Sequence, residues 1–128
     1  MPVAAPHGKP VLHIVDIDAS VRDGLSRLAL AAGFEAHAYP SLERFLGRVS
    51  PHPYGCVLLD ASLPDCARIR ASTQGLGIAC PVIMLTTDHG EIDRQRARSA
   101  GARFLLHKPV DAQALFDAIA WVTDDAPC

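Results

Sequence analysis

Residues 54–64 read YGCVLLDASLP, and the fold follows from how this stretch is understood. Cys56, Val57, Leu58 and Leu59 form an apolar run without alternation, which suits a strand covered on both faces at the centre of a parallel sheet. Asp60 ends the run, and a polar turn bounded by Pro64 follows at once. Open α/β sheets bind ligands at the carboxyl edge of their strands. Asp60 therefore has two readings from this stretch alone: an ordinary turn-starting aspartate, or a group placed for chemistry.

The same pattern recurs on either side. Val11 to Val15 (VLHIV) is an apolar strand that ends on Asp16-Ile17-Asp18. Pro81 introduces Val82, Ile83, Met84 and Leu85, which run into Thr86-Thr87-Asp88, and Phe104, Leu105 and Leu106 end at His107-Lys108-Pro109. Residues 34–39 alternate weakly as a further strand. Between the strands, Ser20 and Asp23 read as a capping-box pair ahead of Val21, Leu25, Leu28, Ala29 and Ala32 at helical spacing, with Gly33 as the stop. Pro40-Ser41 opens a second helix whose stripe is Leu42, Phe45, Leu46 and Val49, closed by Pro51 and Pro53. Residues 65–73 make a short, poorly striped helix before Gly75-Leu76-Gly77. Residues 91–100 make a polar, arginine-rich helix stopped by Gly101, and Asp111 caps a last helix with Leu115, Ile119 and Val122 on one face. Alternating strands and helices predict an α/β fold, a doubly wound five-stranded parallel sheet with helices on both faces.

A chain of 128 residues, 49% of them hydrophobic, fits one domain with a real core; the expected core is residues 10–122, with 1–9 a loose, proline-containing leader and 123–128 a tail or linker. With 12 basic and 14 acidic residues the net charge is -2, which argues against a nucleic-acid surface that works by charge. The apolar runs are far shorter than a membrane span, and the leader lacks the apolar core of a signal peptide, so the expectation is a soluble, cytoplasmic protein with no membrane contact. Cys56, Cys66, Cys80 and Cys128 lack the C-x-x-C spacing of a zinc site, and reduced thiols are expected. The six histidines are scattered, Gly75-Leu76-Gly77 lacks the third glycine of a dinucleotide loop, and there is no G-x-S-x-G elbow.

Right-handed crossovers bring all the strand ends to one edge of the sheet. Asp16, Asp60, Thr86 and Lys108 then converge, though each alone has a bland explanation: a strand-end hydroxyl, a loop lysine, a turn aspartate. Together they make a kit for phosphoryl transfer. A carboxylate can accept the group as a nucleophile, a cation and a lysine can offset its charge, and a hydroxyl can bond its oxygens.

On HIVDID, VLLDASLP, VIMLTT, AGA and HKP, in that order, the chain resembles the receiver domain of bacterial two-component response regulators, the CheY-like fold. The resemblance covers roughly residues 10–122. It implies that Asp60 accepts a phosphoryl group from a histidine kinase, that Thr86 is the switch hydroxyl, that Lys108 contacts the phosphate, and that Pro109 follows a cis bond. It also implies an output domain or effector protein as partner and no enzymatic activity beyond taking up the phosphoryl group. Phe45 and Val21-Arg22 look closest to the subfamily that precedes a helix-turn-helix output. Magnesium is the implied cofactor, with Asp60 and the backbone carbonyl of Ser62 as its direct contacts and Asp16 acting through water.

Four positions depart from the family pattern. Ile17 replaces the acid that usually touches magnesium directly, and an isoleucine offers no side-chain oxygen, so magnesium binding is expected to be weakened. Arg68 stands where glycine is usual, the interval from Asp60 to Thr86 is short by about two residues, and the aromatic switch position is Leu105 with Phe104 beside it. These departures keep a second reading open, a degenerate receiver that acts as a phosphorylation-independent interaction domain. Arg94, Arg96 and Arg98 read as a solvated helix face or a docking surface. Trp121 falls opposite the apolar stripe of the last helix, which predicts exposure and self-association as a homodimer through the fourth and fifth helices.

Overall fold

A computed structural model describes residues 10–48, 55–64, 66–70, 81–87 and 90–125. Five strands, β1 (Val11–Val15), β2 (Glu35–Tyr39), β3 (Gly55–Asp60), β4 (Val82–Thr86) and β5 (Ala102–His107), form one sheet in the order β2-β1-β3-β4-β5. Every pairing is parallel. The helices are α1 (Ala19–Ala31), α2 (Leu42–Arg48), the helical segment α3 at 67–70, α4 (Glu91–Ala100) and α5 (Ala112–Asp125).

The unbroken apolar runs of the central strands become two cores because successive side chains point to opposite faces. Leu12, Ile14, Cys56, Leu58, Ile83 and Leu85 pack under α1 and α5 with Leu25, Ala29, Leu115 and Ile119. Val15, Val57, Leu59, Val82 and Met84 pack on the other face under Phe45 of α2, Ile69 of α3 and Ala97 and Ala100 of α4. β1, β3 and β4 are buried throughout, whereas the outer strands β2 and β5 are partly exposed. The expected doubly wound sheet with helices on both faces is the fold found. His13 lies in the second core, its Nδ1 3.3 Å from the Tyr39 hydroxyl and its ring packed edge-on against Phe45.

Three described glycines, Gly33, Gly55 and Gly101, hold positive φ. Gly101 ends α4 with φ 74°, the left-handed conformation that a side chain resists. Gly55 opens β3 at φ 145°, where an added Cβ would lie 2.0 Å from the carbonyl oxygen of Val11 in the paired strand.

The start of α1 corrects the expected capping box. Asp18, not Ser20, is the cap: its Oδ1 accepts from the amides of Ser20 (2.8 Å) and Val21 (3.4 Å), and Ser20 already lies within the helix. Asp23 is exposed. The other caps stand where expected, with Ser41 Oγ accepting from the Arg44 amide and Asp111 Oδ2 from the Ala114 amide. Val49, Pro51, Pro53, Gly75-Leu76-Gly77, Cys80 and Cys128 lie outside the described residues, as do the expected leader and the end of the tail. Cys56 and Cys66 are buried, reduced thiols. Among the described residues no helix is long and apolar enough to cross a membrane.

Candidate functional site

The strand order reverses between β1 and β3, and a cavity of about 370 Å³ opens at their carboxyl ends. Asp16, Asp18, Asp60, Ser62, Thr86 and Lys108 all line it. The four strand-end residues singled out from sequence are thus brought together.

Asp16 ends β1 at 1% exposure. Its Oδ1 accepts from the Asp18 amide at 2.9 Å and its Oδ2 from Lys108 Nζ at 2.7 Å. Asp18 faces the helix as its cap, and the Ile17 side chain turns outward to 69% exposure. Arg22 fixes this turn from within α1, donating Nη1 to the carbonyl oxygens of Asp16 (2.8 Å) and Ile17 (3.1 Å).

Asp60 ends β3 and is also buried. The tight turn after it folds Ser62 back over the carboxylate, so that Oδ1 accepts from the Ser62 amide at 3.1 Å and Oδ2 from the Ser62 hydroxyl at 2.9 Å. The Leu63 amide closes the turn on the Asp60 carbonyl. Lys108 Nζ lies 3.4 Å from Asp60 Oδ1, so one ammonium bridges both carboxylates with its shorter contact to Asp16. The Lys108 backbone is held by its amide donating to the Thr86 carbonyl at 2.7 Å, and the Lys108–Pro109 bond is cis as the resemblance implied. Burial alone would lower the pKa of this lysine; the hydrogen bond to Asp16 and the charges of Asp60 and Asp16 outweigh it and leave the pKa raised.

Thr86 ends β4, buried, and its hydroxyl donates to Asp93 Oδ2 of α4. Asp93 is itself buried, and its Oδ1 lies 3.9 Å from Arg96 Nη1. The same Nη1 donates to the carbonyl oxygen of Ala61, the residue after Asp60, at 2.9 Å. Both Asp93 and Arg96 line the cavity. Neither was picked out from sequence, where the arginines of this helix read as one solvated face. Arg94 and Arg98 do lie on that face, against Glu91. The available signal was Ala97 and Ala100, small residues that mark the buried face of α4; Asp93 stands one turn before Ala97 on that face.

Magnesium, which the resemblance implies, needs oxygen donors in near-octahedral array. Asp16, Asp60 and Ser62 line one cavity and fit that role, but Ile17 leaves the set a carboxylate short. Among the described residues no cluster of three or more His, Cys, Asp or Glu is placed to hold a metal ion. Of the remaining departures, Arg68 is exposed, Leu105 is half-buried against the α2–α4 core, and Phe104 packs against the opposite core.

Residues 12–120 match the family model for the response regulator receiver domain. The chain is 33% identical over 119 residues to nodulation protein W of Bradyrhizobium diazoefficiens, an alignment covering 91% of this chain and 52% of that protein. It is 31% identical over 120 residues to the response regulator protein TodT of Pseudomonas putida, with 91% and 52% covered. Among solved structures, the response regulator StyR superposes with a TM-score of 0.78 at 35% identity, over 93% of this chain and 61% of that one. The chain thus spans about half the length of the curated relatives it matches. With the 2-1-3-4-5 parallel sheet and the acidic cavity at its reversal, these matches establish that the chain belongs to the response regulator receiver domain family.

Proposed function

We propose that this receiver takes a phosphoryl group from a histidine kinase onto Asp60 and passes the change to an output domain or effector protein. The observation that carries the reading is the Lys108 ammonium set between Asp16 Oδ2 (2.7 Å) and Asp60 Oδ1 (3.4 Å) in the lining of the cavity. A carboxylate oxygen of Asp60 forms the new bond to phosphorus as the P–N bond to the kinase histidine breaks, and the electron pair leaves on the imidazole nitrogen, which takes a proton from solvent. Lys108 offsets charge on the phosphoryl oxygens, and Thr86 is the hydroxyl to bond one of them.

Receiver domains generally bind magnesium at this acidic pocket, and two of its acids, Asp16 and Asp60, are present here. Asp16, Asp60 and the Ser62 carbonyl would hold the ion, more weakly than a site with an acid at position 17. When bound, magnesium adds positive charge beside the phosphoryl oxygens. Trp121, 67% exposed on α5, is the proposed anchor of a homodimer formed through α4 and α5. The protein is proposed to work in the cytoplasm, without contacting nucleic acid or membrane through this domain.

Acetyl phosphate and magnesium test the reading: intact-mass spectrometry should find one added phosphate on the natural chain and none on Asp60→Asn. Ile17 favours a second reading, a receiver that binds partners without phosphorylation, and a natural chain that gains no phosphate under these conditions would favour it over the first.

A further inference from the structure

Two groups on the α4 side of the cavity that can contact an anion, Thr86 and Arg96, are tied to the same carboxylate. Thr86 Oγ1 donates to Asp93 Oδ2, and Arg96 Nη1 lies 3.9 Å from Asp93 Oδ1 while donating to the Ala61 carbonyl at 2.9 Å. A guanidinium presents five donors in a planar fork that matches phosphate, and Arg96 meets both Asp93 and the Ala61 carbonyl through Nη1. Asp93 is at 9% exposure, so its charge is poorly screened by water. It also stands among Asp16 and Asp60 in a cavity whose other cation, Lys108, is already shared by those two acids. An incoming phosphoryl dianion therefore meets, beyond Asp16, Asp18 and Asp60, a fourth carboxylate that repels it and holds two of its natural partners.

We propose that Asp93 is a positioning residue for phosphoryl transfer to Asp60, withholding the Thr86 hydroxyl and the Arg96 guanidinium until an anion in the cavity takes both over. The inference rests on the phosphoryl-acceptor reading above and adds a determinant of its rate that lies on α4. Occupancy of the site then exchanges the partners of Asp93, which links the acceptor to the surface of that helix. Asp93→Asn keeps the shape and an oxygen able to accept from Thr86, but removes the charge that repels phosphate and attracts Arg96.

Two measurements test this. In the first, transfer is blocked by Asp60→Asn and acetyl phosphate is titrated without added metal, followed by the amide NMR signals of Thr86 and Thr87. Adding Asp93→Asn should tighten binding by about three- to tenfold, the scale of one charge in a partly buried site. Adding Arg96→Ala as well should erase most of that gain, a coupling that a merely structural role for Asp93 would not produce. Equal affinities with Asp and Asn at position 93, or a gain that survives loss of Arg96, would overturn the proposal. Should Asp93→Asn fail to fold, Asp93→Ser, which retains an acceptor oxygen, goes through the same titration with the same expectation.

The second measurement uses Asp60 intact. Its carboxylate oxygen bonds to phosphorus as the P–O bond of acetyl phosphate breaks and the electron pair departs with acetate. The initial rate in Asp93→Asn should exceed that of the natural chain by about the same three- to tenfold factor. An unchanged or slower rate counts against the proposal. A natural chain that takes no phosphoryl group while the titration shows the coupled gain would sink the acceptor reading, yet leave Asp93 as the residue that governs anion entry.

Discussion

The two sides of the cavity solve the same electrostatic problem with different means. On the β1–β5 side, Lys108 comes from one strand end to meet carboxylates on two others, with 14% of its side chain exposed and contacts of 2.7 and 3.4 Å. On the β4–α4 side, Arg96 is 46% exposed and 3.9 Å from its acid, and the close contact there is the Thr86 hydroxyl to Asp93. Desolvated charges with short contacts cost much to break, while exposed and longer ones contribute little. The strand side is accordingly a fixed scaffold for Asp16 and Asp60, and on the helix side the Arg96 contact is the part that can exchange partners cheaply.

Substitutions sharpen that contrast in descending order of effect. Lys108→Met leaves the buried Asp16 carboxylate with the Asp18 amide alone of its two described donors, and should lower stability to urea by about 2–3 kcal/mol, somewhat less than for a fully buried broken pair because the site opens into a cavity. Because the Lys108 pKa is raised in the fold, this contribution is fully present below pH 10.5, its unfolded value, and is lost only as pH rises through the higher folded value. Ile17→Asp restores an oxygen donor beside Asp16 and should raise magnesium affinity by about one to two powers of ten, roughly 1.4–2.8 kcal/mol, in titration calorimetry. Equal affinities would mean that Asp18 or another oxygen already fills the role.

On the helix side, Thr86→Val removes one donor to a buried carboxylate and should cost about 1.5 kcal/mol in the same denaturation assay. Arg96→Ala, at a half-exposed and longer pair, should cost less than about 1 kcal/mol. If Arg96→Ala costs as much as Lys108→Met, the two sides are alike and the contrast fails.

The strand side was legible in sequence for a physical reason. Uninterrupted apolar runs fix the buried central strands, a parallel sheet sends their ends to one edge, and whatever polar residue ends each run must meet the others there. Asp16, Asp60, Thr86 and Lys108 needed only that logic. Asp93 and Arg96 needed the phase of a helix with almost no apolar stripe, where Ala97 and Ala100 are the whole signal and the neighbouring arginines and acids read as solvent-facing. The α1 cap failed for a related cause: Asp18 and Ser20 both suit an N-cap, and only the direction in which the chain leaves β1 decides between them. The exposure of Trp121 followed from helical phase alone, since Leu115, Ile119 and Val122 set the buried face of α5 beyond doubt.

The close approach at Gly55 has a consequence for Asp60 at the far end of the same strand. Val11 pairs with Gly55 at one end of the β1–β3 ribbon, and Val15 pairs with Leu59 at the other, next to Asp16 and Asp60. Any side chain at position 55 must pry the two strands apart where they enter the sheet, about 16 Å from the carboxylates at 3.3 Å per residue. A wedge of that kind in a ribbon hydrogen-bonded along its length is expected to reach the far end as shear or splay and to alter the gap that Lys108 bridges. A variant at this glycine would present as a defect of signalling chemistry with every residue of the cavity intact.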